Sequence, residues 1–268
     1  MIVDGKKIAG EMYARMRKEI ASLPPLSIDL FVTGDDLVTN KFIGIKKKIA
    51  GELGVLVREV RIPPGTTTEA FEKLVRESAA DGVIVQLPLA KHIDAEAVCA
   101  AIPSGKDLDA LSPGAQRAFL SGDEKILPPV AGALAIILDM YRVSLAGKKG
   151  VVVGSGKLVG APAAILLRNR GADVSVAGRD TADIKALTLD ADIIVLGAGE
   201  PGLLTPDMVR EGVVILDAGT SEAGGKLAGD ASPSCAEKAS LFTPVPGGIG
   251  PLAIAMLFKN LLALRRNS

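Results

Sequence analysis

The sequence contains no tryptophan, 3% aromatic residues, two cysteines and a single histidine, and its 31 basic side chains are balanced by 31 acidic ones. Each shortage excludes a class of function. With so few aromatics and no excess positive charge there is neither a base-stacking platform nor a cationic face for a phosphate backbone, so no nucleic acid partner is expected. Cys99 and Cys235 lack metal-ligand spacing and His92 alone cannot build a histidine centre, so no metal is expected and the thiols are read as free. Met1-Ile2-Val3-Asp4 has no basic stretch before an apolar core, and Lys259 interrupts the apolar C-terminal segment. No membrane contact is therefore expected, and a cytoplasmic protein is. A chain of 268 residues accommodates one large or two ordinary domains, and two are expected.

What is plentiful is glycine and proline, and they are concentrated. Thr243-Pro-Val-Pro-Gly-Gly-Ile-Gly-Pro251 has three of each in nine residues. Proline lacks an amide donor and glycine under-restrains the backbone, so a loop is expected here, of the kind that lines a ligand cleft. A single apolar helix, Leu252 to Leu264, should follow.

In the first half, Ile8, Met12, Met16 and Ile20 have helical spacing, and Pro24-Pro25 ends that segment. Leu26 to Thr33 reads as a buried strand, closed by Gly34-Asp35-Asp36. Thr39 or Asn40 is expected to cap a helix from Phe42 to Leu53. At about 100° per residue, with Phe42 at zero, Ile45, Ile49 and Leu53 fall at roughly 300°, 340° and 20°. Lys46 falls at about 40°, inside this apolar arc, whereas Lys47 and Lys48 point to water at about 140° and 240°. Lys46 is thus either a snorkelling stem or an amine that exchanges a proton near neutral pH.

Strands at Val55 to Ile62 and Gly82 to Leu89, with a helix at Thr66 to Ser78 between them, argue a parallel α/β sheet. In Gly82-Val-Ile-Val-Gln-Leu-Pro-Leu89, Gln86 is the one polar residue of an apolar run. It either satisfies a neighbouring loop or points into the crevice where such sheets bind ligands. Lys106-Asp-Leu-Asp109 has the form of an acidic capping turn.

In the second half, Val130 to Tyr141 is an apolar helix after Pro128-Pro129. Gly150 to Val153 then reads as a strand, Gly154-Ser155-Gly156 as a turn, and Gly160-Ala161-Pro162 as the start of a helix reaching Arg170. Small residues there let backbone approach a pyrophosphate, which the helix amides receive. The spacing, GxGxxxG, is one longer than the common dinucleotide fingerprint. After the next strand, Asp173 to Ala177, comes Gly178-Arg179-Asp180. Arginine at this point favours NADP, and the acidic neighbour leaves NAD open. Strands Ala191 to Leu196 and Val213 to Asp217 follow, ending in Gly197-Ala198-Gly199 and Ala218-Gly219, where either cofactor approach or turn chemistry accounts for the glycines.

With these segments in order, the chain resembles the methylenetetrahydrofolate dehydrogenase/cyclohydrolase family over nearly its whole length. The resemblance is carried by Val3-Asp-Gly-Lys6, Gly34-Asp35, Gly82 to Leu89 with its Gln-Leu-Pro-Leu, Lys106 to Asp109, Val153-Gly154, Val159-Gly-Ala-Pro162 and Thr243 to Pro251. It implies a two-domain α/β protein: a catalytic folate-binding domain of residues 1–126 and 251–268, completed by the C-terminal helix, and a Rossmann-like NAD(P)-binding domain of residues 127–250. A homodimer acting on tetrahydrofolate one-carbon substrates is also implied. So are Lys46, Gln86 and Asp109 as catalytic residues, with Asp109 holding the pterin beside Phe42, Pro246, Gly247, Gly248, Ile249 and Pro251. The nucleotide would meet Gly154, Ser155, Gly156, Leu158, Val159, Gly160, Pro162, Arg179, Ala198, Gly199, Gly219 and Thr243.

The sequence also departs from the family pattern. A tyrosine four residues before the lysine is replaced by Phe42, Cys-Thr-Pro before the bridging helix by Pro129-Val130-Ala131, an arginine of the glycine turn by Ser155, and a threonine by Ala253. Losing the tyrosine hydroxyl removes a donor and acceptor from the network around Lys46, so weakened cyclohydrolysis with retained dehydrogenation is expected. Two other readings remain at this stage. One is a different nicotinamide dehydrogenase of small acids, which leaves Gln86 and Thr243 to Pro251 without a purpose. The other is a binding protein that has lost catalysis.

Overall fold

The computed structural model describes residues 1–35, 37–223 and 226–266. The chain packs as two compact units: Glu11–Pro128 with Leu257–Ser268, and Met1–Gly10 with Pro129–Met256. Helix α1 (Gly5–Ile20) and the last helix, Ile249–Arg266, each cross from one to the other in sequence. Both units are α/β with parallel main sheets, the class expected.

In the first unit α1 buries Met12, Met16 and Ile20. Next come β1 (Ser27–Val32), α2 (Leu37–Leu53), β2 (Leu56–Arg61), α3 (Thr68–Arg76) and β3 (Gly82–Gln86). The strands form a parallel sheet in the order β2-β1-β3. β1 and β3 are buried along their apolar residues, whereas edge strand β2 is largely accessible. Thr67 caps α3 by accepting from the amide of Ala70, and α3 turns Phe71 and Val75 into the core, where the Phe71 ring lies 5.9 Å from that of Phe31. Two short helices, α4 (Ala95–Ala100) and α5 (Pro113–Leu120), are capped by Asp94 and Ser112.

Helix α2 begins five residues before the predicted Phe42, and neither Thr39 nor Asn40 caps it, since both lie inside it. Asn40 is drawn instead into a polar cluster, donating to Asp35 at 2.8 Å and accepting from Arg61 at 2.9 Å. Asp36 of the predicted turn lies outside the described residues. β3 stops at Gln86 rather than Leu89, where Leu87-Pro88 is a cis peptide.

The second unit continues with α6 (Pro129–Met140), β4 (Lys149–Val153), α7 (Gly160–Asn169), β5 (Asp173–Ala177), α8 (Ile184–Leu189), β6 (Ile193–Leu196) and β7 (Val214–Asp217). A hairpin of β8 (Ser221–Ala223) and β9 (Lys226–Ala228), the short β10 (Leu241–Phe242) and α9 (Ile249–Arg266) complete the chain. The five parallel strands run β10-β7-β6-β4-β5, so connections leave β4 in opposite directions and the order reverses between β4 and β6. At such a switch point the carboxyl ends of the strands leave a crevice.

Residues 1–10 and 251–256, which the family pattern assigned to the folate domain, pack with this second unit. The reason is local. The terminal ammonium of Met1 donates to Ser240, and Phe242 accepts from the amide of Val3 and donates to the carbonyl of Met1, both at 2.9 Å, in a parallel bridge of Ile2 with β10. A side chain on Gly5 would begin 1.8 Å from the carbonyl oxygen of Gly248. Helix α9 also starts earlier than Leu252, because Ile249-Gly250-Pro251, expected as loop, form its first turn. Amides of a first turn have no partner within the helix, so proline is tolerated there.

Candidate active site

Lys46 lies mid-helix in α2 and is partly buried, although Phe42 and Ile45 of the predicted apolar arc are exposed and the buried face is made by Ile43, Ala50 and Leu53. Its ammonium donates to Oε1 of Gln86 at 2.9 Å, and Gln86 uses its own Nε2 to donate to the carbonyl of Leu87 at 2.9 Å. The second bond fixes which end of the amide faces the lysine. Phe42, one turn earlier on α2, is 37% exposed.

Asp109 reaches the same place by a different route. Val83 and the segment Lys106–Leu108 pair as a parallel bridge, with Val83 donating to Lys106 at 2.7 Å and Leu108 to Val83 at 3.3 Å. This carries Asp109 along the flank of β3 towards Gln86. Of the two aspartates in the acidic turn, Asp107 does the capping: it is buried and accepts from the amides of Leu111 and Ser112. Asp109 is left for the site, and Ala110 turns the chain away with a φ of 53°. Burial raises the Asp109 carboxyl above its ordinary range; Lys46 opposes the rise and Asp107 adds to it. Asp109 and Lys46 are thus charged neighbours.

A residue that the sequence reading missed supports this segment. Asn260 of α9 is buried, and its Nδ2 donates to the carbonyls of Leu108 and Leu127 at 2.8 Å each. The C-terminal helix thus holds the backbone next to Asp109. As the polar residue among Leu257, Leu261, Leu262 and Leu264, it could have been found by the wheel argument applied to Lys46.

In the other unit, Gly154 follows β4 with a φ of 104°, and its amide donates to Ala177 at the end of β5. A Cβ on Gly160 would sit 1.9 Å from the Gly154 carbonyl, and one on Gly154 would sit 2.5 Å from that of Gly197. Turn, helix start and the end of β6 therefore approach as bare backbone. Ser155, Gly156 and Leu158 are exposed, and Val159 at the N-cap of α7 supplies no side-chain acceptor to the first helix amides. This arrangement suits the pyrophosphate of a dinucleotide. Arg179 is exposed just past β5, in a turn that Thr181 closes by accepting from Gly178 at 2.9 Å. Ala198 and Gly199 are exposed after β6.

The remaining candidates divide. Pro246 is exposed, and Gly247 and Pro251 are partly so, while Gly248 and Ile249 are buried. Pro162, Gly219 and Thr243 are buried within their unit, and the Thr243 hydroxyl is spent on the main chain of Asp217. A cavity of about 450 Å³ opens at the amino ends of β4, β6 and β7, lined by Lys148, Ile193 and Val214, which is the sheet edge opposite the glycine turn. Among the described residues, no cluster of three or more His, Cys, Asp or Glu could hold a metal ion, and no helix is long and apolar enough to cross a membrane.

A parallel sheet with a bare glycine turn at its switch point, and a separate unit holding a lysine, an amide and a carboxyl together, define a two-unit α/β nucleotide-binding protein with an acid–base cluster. Residues 3–109 match the catalytic domain of tetrahydrofolate dehydrogenase/cyclohydrolase and residues 128–268 its NAD(P)-binding domain. The chain belongs to that family. It is 38% identical to the bifunctional protein FolD of Halothermothrix orenii, over 99% of this chain and 98% of that protein. Among solved structures it resembles the Campylobacter jejuni bifunctional enzyme FolD at 30% identity, covering 100% of this chain and 99% of the other with a TM-score of 0.95. It also resembles the Trypanosoma brucei dehydrogenase-cyclohydrolase, solved with NADP and an inhibitor, at 31% identity, 100% and 97% coverage and a TM-score of 0.92.

Proposed function

We propose that the protein oxidises 5,10-methylenetetrahydrofolate to 5,10-methenyltetrahydrofolate with NADP, and hydrolyses the product to 10-formyltetrahydrofolate at a rate lowered by Phe42. The observation that supports this most is the 2.9 Å contact between Lys46 and Gln86 in a chain of this family. A bound NADP supplies the hydride acceptor. The residues around the folate have other tasks. Asp109 holds the pterin, which for the oxidation is chiefly a matter of placing the methylene carbon. Hydrolysis adds water to the methenyl carbon and opens the ring, so protons must move, and Lys46 is the group assigned to move them. Gln86 keeps the lysine amine aimed. With phenylalanine at position 42 this network lacks a hydroxyl that would share its protons.

NADP is preferred to NAD because Arg179 follows β5 and the Trypanosoma brucei relative was solved with NADP, although Ser155 supplies no positive charge. A homodimer in the cytoplasm, serving one-carbon metabolism, completes the proposal. The test is the absorbance of reduced cofactor on mixing enzyme, 5,10-methylenetetrahydrofolate and either nucleotide. Faster formation of NADPH than NADH is expected. Absence of either, with folate still bound, would indicate a binding protein without turnover.

A further inference from the structure

Two buried carboxylates in the nucleotide-binding unit have no part in the chemistry above. Asp217 ends β7 at 1% exposure, and Asp230, just after β9, is fully buried. Their hydrogen bonds come from backbone amides. Asp230 accepts from three consecutive residues beyond β6: Oδ2 from Ala198 at 2.7 Å and Gly199 at 3.1 Å, and Oδ1 from Glu200 at 2.8 Å. Asp217 accepts from Gly219 at 2.9 Å and from Ala231 at 2.8 Å. The two are interlocked sterically. A Cβ on Gly219 would lie 2.2 Å from the Asp230 carboxyl carbon, and one on Gly229 would lie 2.2 Å from Oδ2 of Asp217. Gly219 is therefore required by a carboxylate rather than by a ligand. Ser221 adds a 2.7 Å bond to the carbonyl of Gly199 from the same side.

We propose that Asp230, braced against the Asp217 segment, is a positioning residue for the nucleotide: it turns the amides of Ala198, Gly199 and Glu200 inward, and so sets the face that this loop offers to the cofactor. The proposal rests on the reading of Ala198 and Gly199 as cofactor-lining. Three parallel amides in a row would otherwise attract an anion, and a phosphate taken there would misplace the nucleotide. With its amide edge occupied by Asp230 and the Gly199 carbonyl engaged by Ser221, the loop presents its remaining surface in one fixed shape.

The test is the Asp230→Asn variant, whose amide nitrogen cannot accept from the loop, so at least one of the three donors loses its partner. NADP binding, followed by titration of the purified full-length protein, is expected to weaken about tenfold or more. Hydrolysis of 5,10-methenyltetrahydrofolate, which uses no nucleotide, is expected to stay within about twofold, a split that a general loss of fold would not produce. Wild-type affinity in the variant would overturn the proposal while leaving the cofactor reading intact. If the wild type binds neither NADP nor NAD, both fall together. Should the variant not fold, amide hydrogen exchange on the wild type decides the matter. Ala198, Gly199 and Glu200 should be protected without nucleotide and no further protected with it, whereas protection that appears only with NADP would contradict the assignment.

Discussion

The side-chain oxygen of Gln86, at the last residue of β3, accepts the Lys46 ammonium at 2.9 Å while the amide nitrogen of the same side chain is held by Leu87. Because both ends of the amide are committed, the lysine has one preferred direction. Replacing Gln86 with leucine keeps the volume and removes the acceptor, which for a bond to a charged group costs about 1.5–3 kcal/mol. Cyclohydrolysis is expected to fall roughly ten- to hundred-fold, and dehydrogenation by less, since it asks the site to place rings rather than to move protons. The two rates, measured on one preparation, check this. An equal fall in both would mean that Gln86 supports binding alone.

Asn260 predicts a link between the C-terminal helix and Asp109. An Asn260→Leu variant leaves the carbonyls of Leu108 and Leu127 without their buried donor, and should lose about 2–4 kcal/mol of stability. The Michaelis constant for folate should rise with it, because the freed segment carries Asp109. Urea unfolding and steady-state kinetics read the two effects. A destabilised variant with unchanged folate kinetics would separate Asn260 from the site.

Asp217 predicts a dependence on pH. Burial pushes its carboxyl up to about 6, and the carboxylate of Asp230 adds to the rise, against the amides of Ala231, Gly219 and Asp230 that lower it. Cys235 also senses its charge. A carboxyl whose folded value exceeds its unfolded one binds its proton more tightly in the native state, so its contribution to stability is lost as pH rises from about 4 to about 6. Between about pH 4.5 and pH 7 the wild type should therefore lose about 2 kcal/mol relative to an Asp217→Asn variant. Urea midpoints at the two pH values test the sign.

Much of this was legible in the residues, and what was not had physical causes. Gln86 stood out because it interrupted a continuous apolar run, and Lys46 because it fell inside a predicted apolar arc, although Phe42 and Ile45 of that arc are exposed; β5 and the starts of β3 and α7 followed directly from the order of strand, turn and helix. The start of α2 was missed because Thr39 and Asn40 look like caps, and only the nearby Asp35 together with the distant Arg61 explains why Asn40 is not one. Only the family resemblance singled out Asp109; the form of the turn did not separate it from Asp107, because their difference is made by the pairing of Lys106–Leu108 with Val83, a contact across more than twenty residues. Gly219 and Thr243 were read towards the ligand, although a buried carboxylate and a strand end account for them. Asp230 gave no signal, since a lone aspartate after a glycine looks like any turn.

The central claim is that two reactions share one folate site, and that position 42 bears on only one of them. Its most direct test is the ratio of cyclohydrolase to dehydrogenase rate in the wild type and in Phe42→Tyr. The account predicts a rise in that ratio of roughly ten- to hundred-fold, carried by faster hydrolysis with little change in NADPH formation. Equal ratios in the two proteins would contradict it.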